Sequence, residues 1–362
     1  MEVLTTERFF DGHQLHGPSS LTIRDGLVTS VESFSGTSEF HLIAPGFFDL
    51  QMNGFESVDI SDCTVDELIE LDRQLLSLGT THWLATVITA PLDRLADKVH
   101  FLHDVCQSGR VPGLVGTHIE GPFLGRAPGA HRTEWIVPID MDWLQQLPDS
   151  VRLVTLAPEQ QQAVMATSFL TGRGIAVSMG HTRPTESDID NMIDAGANMV
   201  THLYNGMSGV HHRETGMALR ALVDPRISTG LIADMAHVSP QAVALAFAAK
   251  GGDGVCLVSD TVAWNTERAI RRGIKIVNGS PQLANGTLAG SSTPLSQCVQ
   301  RAVTTAGVVL EEALKAATST PSRILHRPEM SRVCEGALAN LVAMDDALCV
   351  VGAWRALVSH RA

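Results

Sequence analysis

Between Pro45 and Arg332, short apolar runs alternate with longer stretches of helical periodicity, and this rhythm constrains the fold more than any other feature of the chain. A short apolar run without polar alternation suits a strand covered on both faces, as in a parallel sheet wrapped by helices. Eight candidate strands fall at residues 47–51, 81–87, 114–119, 151–156, 175–179, 198–201, 228–233 and 255–259. Eight such units over roughly 280 residues suit a closed (β/α)8 TIM-like barrel of the α/β class better than an open doubly wound sheet. The intervening helices carry ordinary start and stop signals. At 64–78, Thr64 precedes Asp66 and Glu67, and Gly79 ends the run.

The two ends of the chain have a different texture. Residues 1–44 contain Ser20-Leu-Thr-Ile-Arg24, an Asp25-Gly26 turn and Leu27-Val-Thr-Ser-Val31, which is hairpin chemistry. Residues 333–362 contain candidate strands at 341–344, 348–351 and 354–358, with a turn at Asp345-Asp346. Chain ends often meet, so these pieces are expected to form a small β-sandwich domain beside a barrel domain at 45–332.

Composition narrows the function. Against 39 Asp+Glu stand only 26 Lys+Arg, a formal charge of −13, which disfavours nucleic acid or an anionic membrane surface as partner. Any anionic substrate must find a local basic site. No apolar run reaches the ~18 residues of a membrane span, and the N-terminal Met-Glu-Val-Leu-Thr-Thr-Glu-Arg has no signal-peptide character. Cys63, Cys106, Cys256, Cys298, Cys334 and Cys349 form no C-x-x-C pair. A reducing cytoplasm is the expected compartment.

Barrel active sites are built from the loops that follow the strands, and here the strand ends carry polar residues. Glu120, His181 and His202 fall in the same register after the third, fifth and sixth strands. Two imidazoles and a carboxylate, with one position left for water, suit a divalent ion such as zinc. Any one of the fifteen histidines, taken alone, reads as a surface or hydrogen-bonded core residue; the shared register is what points to a metal. Asp260 ends the eighth strand, where it can serve as general base and acid or cap a following helix.

The chain resembles the N-acetylglucosamine-6-phosphate deacetylases of the amidohydrolase superfamily. The resemblance runs through Ala44-Pro-Gly-Phe-Phe-Asp-Leu-Gln-Met-Asn-Gly54, His118-Ile-Glu-Gly-Pro122, Leu156-Ala-Pro-Glu159, Gly180-His-Thr182, Thr201-His-Leu-Tyr-Asn-Gly-Met207, Ile232-Ala-Asp234 with His237, Val258-Ser-Asp260 and Leu288-Ala-Gly-Ser291. It implies hydrolysis of the N-acetyl group of N-acetylglucosamine 6-phosphate, giving glucosamine 6-phosphate and acetate. It implies Glu120, His181 and His202 as ligands of one divalent ion, with zinc expected and iron, cobalt or manganese as alternatives. Asp260 is implied as base and acid, and His131 as the group that polarises the carbonyl. Asn205, Arg213 and His237 are implied to grip the phosphorylated sugar, Arg213 and His237 from a neighbouring subunit, hence a homodimer with a shared phosphate site. Arginine supplies the permanently charged fork that a phosphate needs, which favours the phosphate role of Arg213 over that of a solvated loop cation paired with Glu214.

Three departures matter. Where many superfamily members carry His-x-His for a second metal, this chain has Gln51-Met52-Asn53, and carboxamides are poor zinc ligands. One ion is therefore expected, with Gln51 and Asn53 donating hydrogen bonds around it. The stretches Arg132-Thr-Glu-Trp135 and Thr261-Val-Ala-Trp264 also differ from the family and are expected to border the sugar, with Arg132 either a phosphate contact or exposed. The rival readings are a deacetylase of the galactosamine or mannosamine epimer, a dihydroorotase- or deaminase-like hydrolase, and a non-catalytic scaffold.

Overall fold

The computed structural model describes residues 1–356 and 358–361. All eight expected inner strands are present: β1 (Phe47–Glu56), β2 (Thr80–Ile88), β3 (Leu114–Glu120), β4 (Val151–Leu156), β5 (Ala176–Met179), β6 (Met199–Val200), β7 (Ser228–Leu231) and β8 (Val255–Leu257). Each pairs in parallel with the next along the chain. The eighth strand is split. The chain leaves the ladder at Leu257, passes Ser259 and Asp260, and resumes as β9 (Thr261–Ala263), parallel to β1 with Thr261 opposite Met52. The strand that pairs with β7 thus hands over to one that pairs with β1, and the sheet curls into a TIM-like barrel.

Alternation along the strands sorts the core. Phe48 and Leu50 of β1, Leu84 of β2, Leu153 of β4, Met199 of β6 and Cys256 of β8 cluster together with Ile324 and Leu325. Residues from so many strands meet only inside a barrel, where they form a packed layer instead of a pore. Above it the interior turns polar: His118 Nε2 lies 2.8 Å from Thr155 Oγ1, which lies 2.8 Å from Thr201 Oγ1. Buried polar groups are satisfied in this chain of hydroxyls.

The helix Val65–Ser77 shows how the outer layer is specified. Thr64 and Glu67 form a reciprocal capping box. Leu68, Leu71 and Leu75, at helical spacing, are buried. Gly79, at φ +85°, supplies the left-handed residue that ends the run.

The terminal strands form a separate, single hydrogen-bonded sheet. Phe40–Pro45 is its seam, parallel to Glu2–Phe10 on one side and antiparallel to Leu341–Met344 on the other. Leu4, Leu21, Ile43, Leu341 and Trp354 fill its own core. The pieces expected at 348–351 and 354–358 are instead a strand Val350–Arg355 followed by Val358–Arg361, because the antiparallel ladder with Leu341–Met344 continues through Gly352 to Trp354, with a register shift at Val351. Leu357 and Ala362, within the expected terminal domain, lie outside the described residues. Arg355 fastens this sheet to the barrel: Nη1 donates to Asp72 Oδ1 at 2.9 Å, an oxygen that also accepts from Trp83 Nε1 at 2.9 Å. Both charged side chains are buried.

Candidate metal centre and substrate cavity

Parallel strands all present their carboxyl ends at one mouth of a barrel, which brings distant residues together there. Glu120 closes β3, His181 and His202 lie two residues beyond β5 and β6, and Asp260 lies between β8 and β9. His181, His202 and Asp260 have φ of +49°, +29° and +48°. Non-glycine residues adopt this left-handed region at a cost, and such strain concentrates at functional positions. The segment after Asp260 is a strand, so the helix-cap alternative is excluded.

Glu120, His181 and His202 converge. Nε2 of His202 and of His181 lie 3.1 and 3.3 Å from Glu120 Oε1 and 3.0 Å from each other. His131 Nε2 lies 3.1 Å from His181 Nε2 and 4.0 Å from Glu120 Oε2, so Glu120, His131 and His181 form a second, overlapping triangle. The tautomers follow from the other ring nitrogens. His181 Nδ1 is 3.0 Å from the Ala127 carbonyl and His202 Nδ1 is 3.1 Å from the Asn205 carbonyl. A carbonyl only accepts, so both Nδ1 atoms carry hydrogen and, in the neutral rings, both Nε2 atoms offer lone pairs. Lone pairs facing a carboxylate oxygen at about 3 Å repel one another unless a positive charge lies among them, and a divalent cation suits this donor set. Burial by itself pushes the Glu120 carboxyl up, but positive charge facing it outweighs burial and holds it well below the usual range.

The carboxamides are already engaged. Gln51 Nε2 donates to Glu120 Oε1 at 3.0 Å and to Asp260 Oδ1 at 3.1 Å, and Asn53 Nδ2 donates to Asp260 Oδ1 at 2.8 Å. Burial, then the negative charge of Glu120, pushes Asp260 up to about 7. His131 Nδ1 lies 2.8 Å from Thr89 Oγ1, and His237 Nδ1 lies 2.7 Å from Asp234 Oδ2. Gly206, at φ +57°, closes in on the cluster; a Cβ there would stand 2.8 Å from His181 Nδ1.

Residues 42–357 match the amidohydrolase family. The chain belongs to this family. It is 32% identical over 375 residues to the N-acetylgalactosamine-6-phosphate deacetylase of Escherichia coli O157:H7, covering 97% of this chain and 96% of that protein. To the N-acetylglucosamine-6-phosphate deacetylase of Homo sapiens it is 32% identical over 332 residues, covering 85% and 81%. The crystal structure of the N-acetylglucosamine-6-phosphate deacetylase of Thermotoga maritima superposes with a TM-score of 0.92 at 26% identity over the whole of both chains. A mutant of the Mycobacterium smegmatis enzyme in complex with N-acetyl-D-glucosamine-6-phosphate superposes at 0.89 with 28% identity, covering 98% of this chain and 97% of that one. Within the amidohydrolases, the chain is a metal-dependent N-acetylhexosamine-6-phosphate deacetylase with a His/Glu metal-binding group.

This amidohydrolase surrounds the cluster with a cavity of about 260 Å³, and every expected site residue except Gln51 and Arg213 lines it. Gln51 is buried beside it. Arg213 lies on the exposed turn His211–Glu214, its Nε 3.1 Å from His212 Nε2, outside this chain's cavity. His237, expected from a neighbouring subunit, lines the cavity of its own chain because the Asp234 carboxylate turns its ring inward. Of the two divergent stretches, Val262 and Ala263 border the cavity, whereas Arg132 lies 3.8 Å from Glu134 and stacks 4.7 Å over Trp135.

Other contributors carried no signal strong enough to find them. Thr89 and Asp234 orient histidines, and only the Asp234-x-x-His237 spacing hinted at the second pair. Glu159 accepts from the Arg126 and Arg183 amides at 3.1 and 2.9 Å and from the Thr182 hydroxyl, tying the loops after β3, β4 and β5 together. Asp59, Ser61 and Arg272 also line the cavity, and nothing in their spacing marks them.

Proposed function

We propose that the protein removes the acetyl group from N-acetylglucosamine 6-phosphate with one divalent ion, zinc, held by Glu120, His181 and His202. The observation that carries this reading is the convergence of those three donor groups opposite an Asp260 held by two carboxamides. A cation bound there supplies Lewis acidity and lowers the pKa of water. Asp260 takes a proton from the attacking water and returns it to the departing sugar nitrogen. His131, its Nδ1 2.8 Å from Thr89 Oγ1, stabilises the developing oxyanion when its Nε2 carries the hydrogen. Gln51 and Asn53 keep Asp260 oriented and, as neutral carboxamides, are poor ligands for a second ion.

Asn205 and His237 hold the sugar within the chain's own cavity. Arg213 reaches a phosphate only from a second copy, so a homodimer is part of the proposal. So are the division into 45–332 and 1–44 with 333–362, and a reducing cytoplasmic setting, which suits the six free cysteines. The human, Thermotoga and Mycobacterium relatives favour the glucosamine epimer; the match to the Escherichia coli protein over 97% of the chain favours the galactosamine epimer as the second reading. The test is acetate release from both sugar phosphates, with and without chelator. Turnover that ignores chelation overturns the mechanism, and the ratio of kcat/KM decides the epimer.

A further inference from the structure

The chain leaves β4 through Leu156-Ala-Pro-Glu159, a stretch that supplies none of the groups assigned to the chemistry and none of the cavity wall. Glu159 nevertheless gathers three donors. Its Oε1 accepts from the Arg126 amide at 3.1 Å and from the Arg183 amide at 2.9 Å, and Thr182 Oγ1 donates to Oε2. Arg126 belongs to the loop after β3, and Thr182 and Arg183 directly follow the ligand His181. The loop that carries Glu159 is itself fastened, because the Ala157 amide donates to the Phe123 carbonyl at 2.9 Å and Gln160 Nε2 donates to the Leu124 carbonyl at 2.6 Å. A Cβ on Gly125 would collide with Glu159 Oε1, so the glycine is what admits the carboxylate here.

The two loops that Glu159 joins also meet at His181. The Gly125 amide donates to the His181 carbonyl at 2.9 Å, and His181 Nδ1 donates to the Ala127 carbonyl at 3.0 Å. Arg126 lies between these two contacts in sequence, so the interactions close a ring. It runs from His181 through Thr182 and Arg183 to Glu159, across to Arg126, and through Ala127 back to the imidazole. His181 has φ +49°, a conformation that persists only where its surroundings over-determine it. Outer partners of a metal-binding histidine orient its ring and fix its tautomer. We infer that Glu159 is a positioning residue for the metal centre: it keeps the Ala127 carbonyl against His181 Nδ1 and thereby keeps the Nε2 lone pair turned toward Glu120 and His202. The carboxylate acts as an acceptor for the two loops and not as a remote charge on the ion. This inference rests on the ligand set proposed above and adds to it a residue outside the cavity.

The experiment compares wild type, Glu159→Ala, Glu159→Gln and Thr182→Val, each stripped of metal and titrated with zinc against a chromophoric chelator. The zinc dissociation constant is expected to rise about 10- to 100-fold in Glu159→Ala. Glu159→Gln should remain within about threefold of wild type, since its carboxamide oxygen still accepts both amides and its NH2 can donate to the Thr182 hydroxyl. Thr182→Val, which removes one hydrogen bond of the three and nearly keeps the side chain's volume, should weaken zinc binding about threefold. It decides the matter if Glu159→Ala does not fold. The inference is overturned if zinc binds Glu159→Ala, or in its stead Thr182→Val, as tightly as wild type. It is equally overturned if Glu159→Gln loses as much as Glu159→Ala, the pattern of a lost charge. NMR of isotope-labelled histidine gives a readout that needs no ion. The His181 Nδ1–H signal, assigned through its loss in His181→Gln, should exchange with solvent about 10-fold faster in Glu159→Ala than in wild type or Glu159→Gln. Should wild type bind no zinc, the ligand set fails by itself, and this signal still decides the positioning role: faster exchange in Glu159→Ala supports it, and equal exchange removes it.

Discussion

Asn53 Nδ2 donates to Asp260 Oδ1 at 2.8 Å, and Gln51 Nε2 reaches the same oxygen at 3.1 Å. One oxygen of the carboxyl is thereby tied to β1, which fixes its plane. Asp260→Asn is expected to lower kcat by roughly 1000-fold, within the range that general acid–base groups contribute, while the metal content is unchanged. Asn53→Ala, which frees the carboxyl without removing it, is expected to cost about 10-fold. Steady-state kinetics beside elemental analysis of each variant checks both; near-wild-type turnover in Asp260→Asn ends its assignment.

Protein purified without chelators is expected to carry one divalent ion per chain. His202→Ala should lose it, since one imidazole of the triangle is gone. Two ions per chain in the wild type would mean that Gln51 and Asn53 do not do what their hydrogen bonds imply.

The rate should fall toward acid. A general base works ionised, so kcat/KM drops with unit slope as pH decreases through its pKa. Burial and Glu120 push Asp260 up to about 7 in the protein without its ion, and a nearby cation pulls that value down. The acid limb of the loaded enzyme is therefore expected below pH 7. A limb centred above 7 would point to a different titrating group.

Stability has its own acid dependence. Burial pushes His82 down to about 4, against about 6.5 in an unfolded chain. Between these values the unfolded state binds more protons, so this histidine's contribution is complete above pH 6.5 and is lost as pH falls toward 4. Relative to His82→Gln, wild type should lose up to about 3 kcal/mol over that window, read by chemical denaturation at a series of pH values. A constant difference between the two proteins would show that His82 is not buried in its neutral form.

Arg355→Ala leaves Asp72 buried beside Trp83 without its cation. Removing one partner of a buried pair typically costs about 3–5 kcal/mol, and the terminal sheet should loosen from the helix Val65–Ser77. Denaturant titration with hydrogen exchange of that helix measures it; a loss below 1 kcal/mol would mean the pair is hydrated.

The barrel is legible in the sequence because strands covered on both faces read as short apolar-rich runs recurring between helical stretches, even though Asp49, His82 and Arg152 interrupt three of them. Glu120, His181, His202 and Asp260 can be aligned because each directly follows such a run. The backbone is less legible. No propensity announces that the eighth strand breaks after Leu257 and resumes at Thr261, since the handover depends on β1 offering the Gln51 carbonyl to Asp260. Family resemblance places His237 in a neighbouring subunit's site, although its ring is turned into its own chain's cavity by Asp234, three residues away.

The left-handed backbone at His181, His202 and Asp260 sets ligand chemistry against endurance. Glycine at any of these positions would relax the torsional cost and, at either histidine, also remove a lone pair from a crowded centre. A selection for heat tolerance alone, carried out in a chelating medium, would thus enrich inactive proteins at these three sites, and only growth that depends on turnover would keep them.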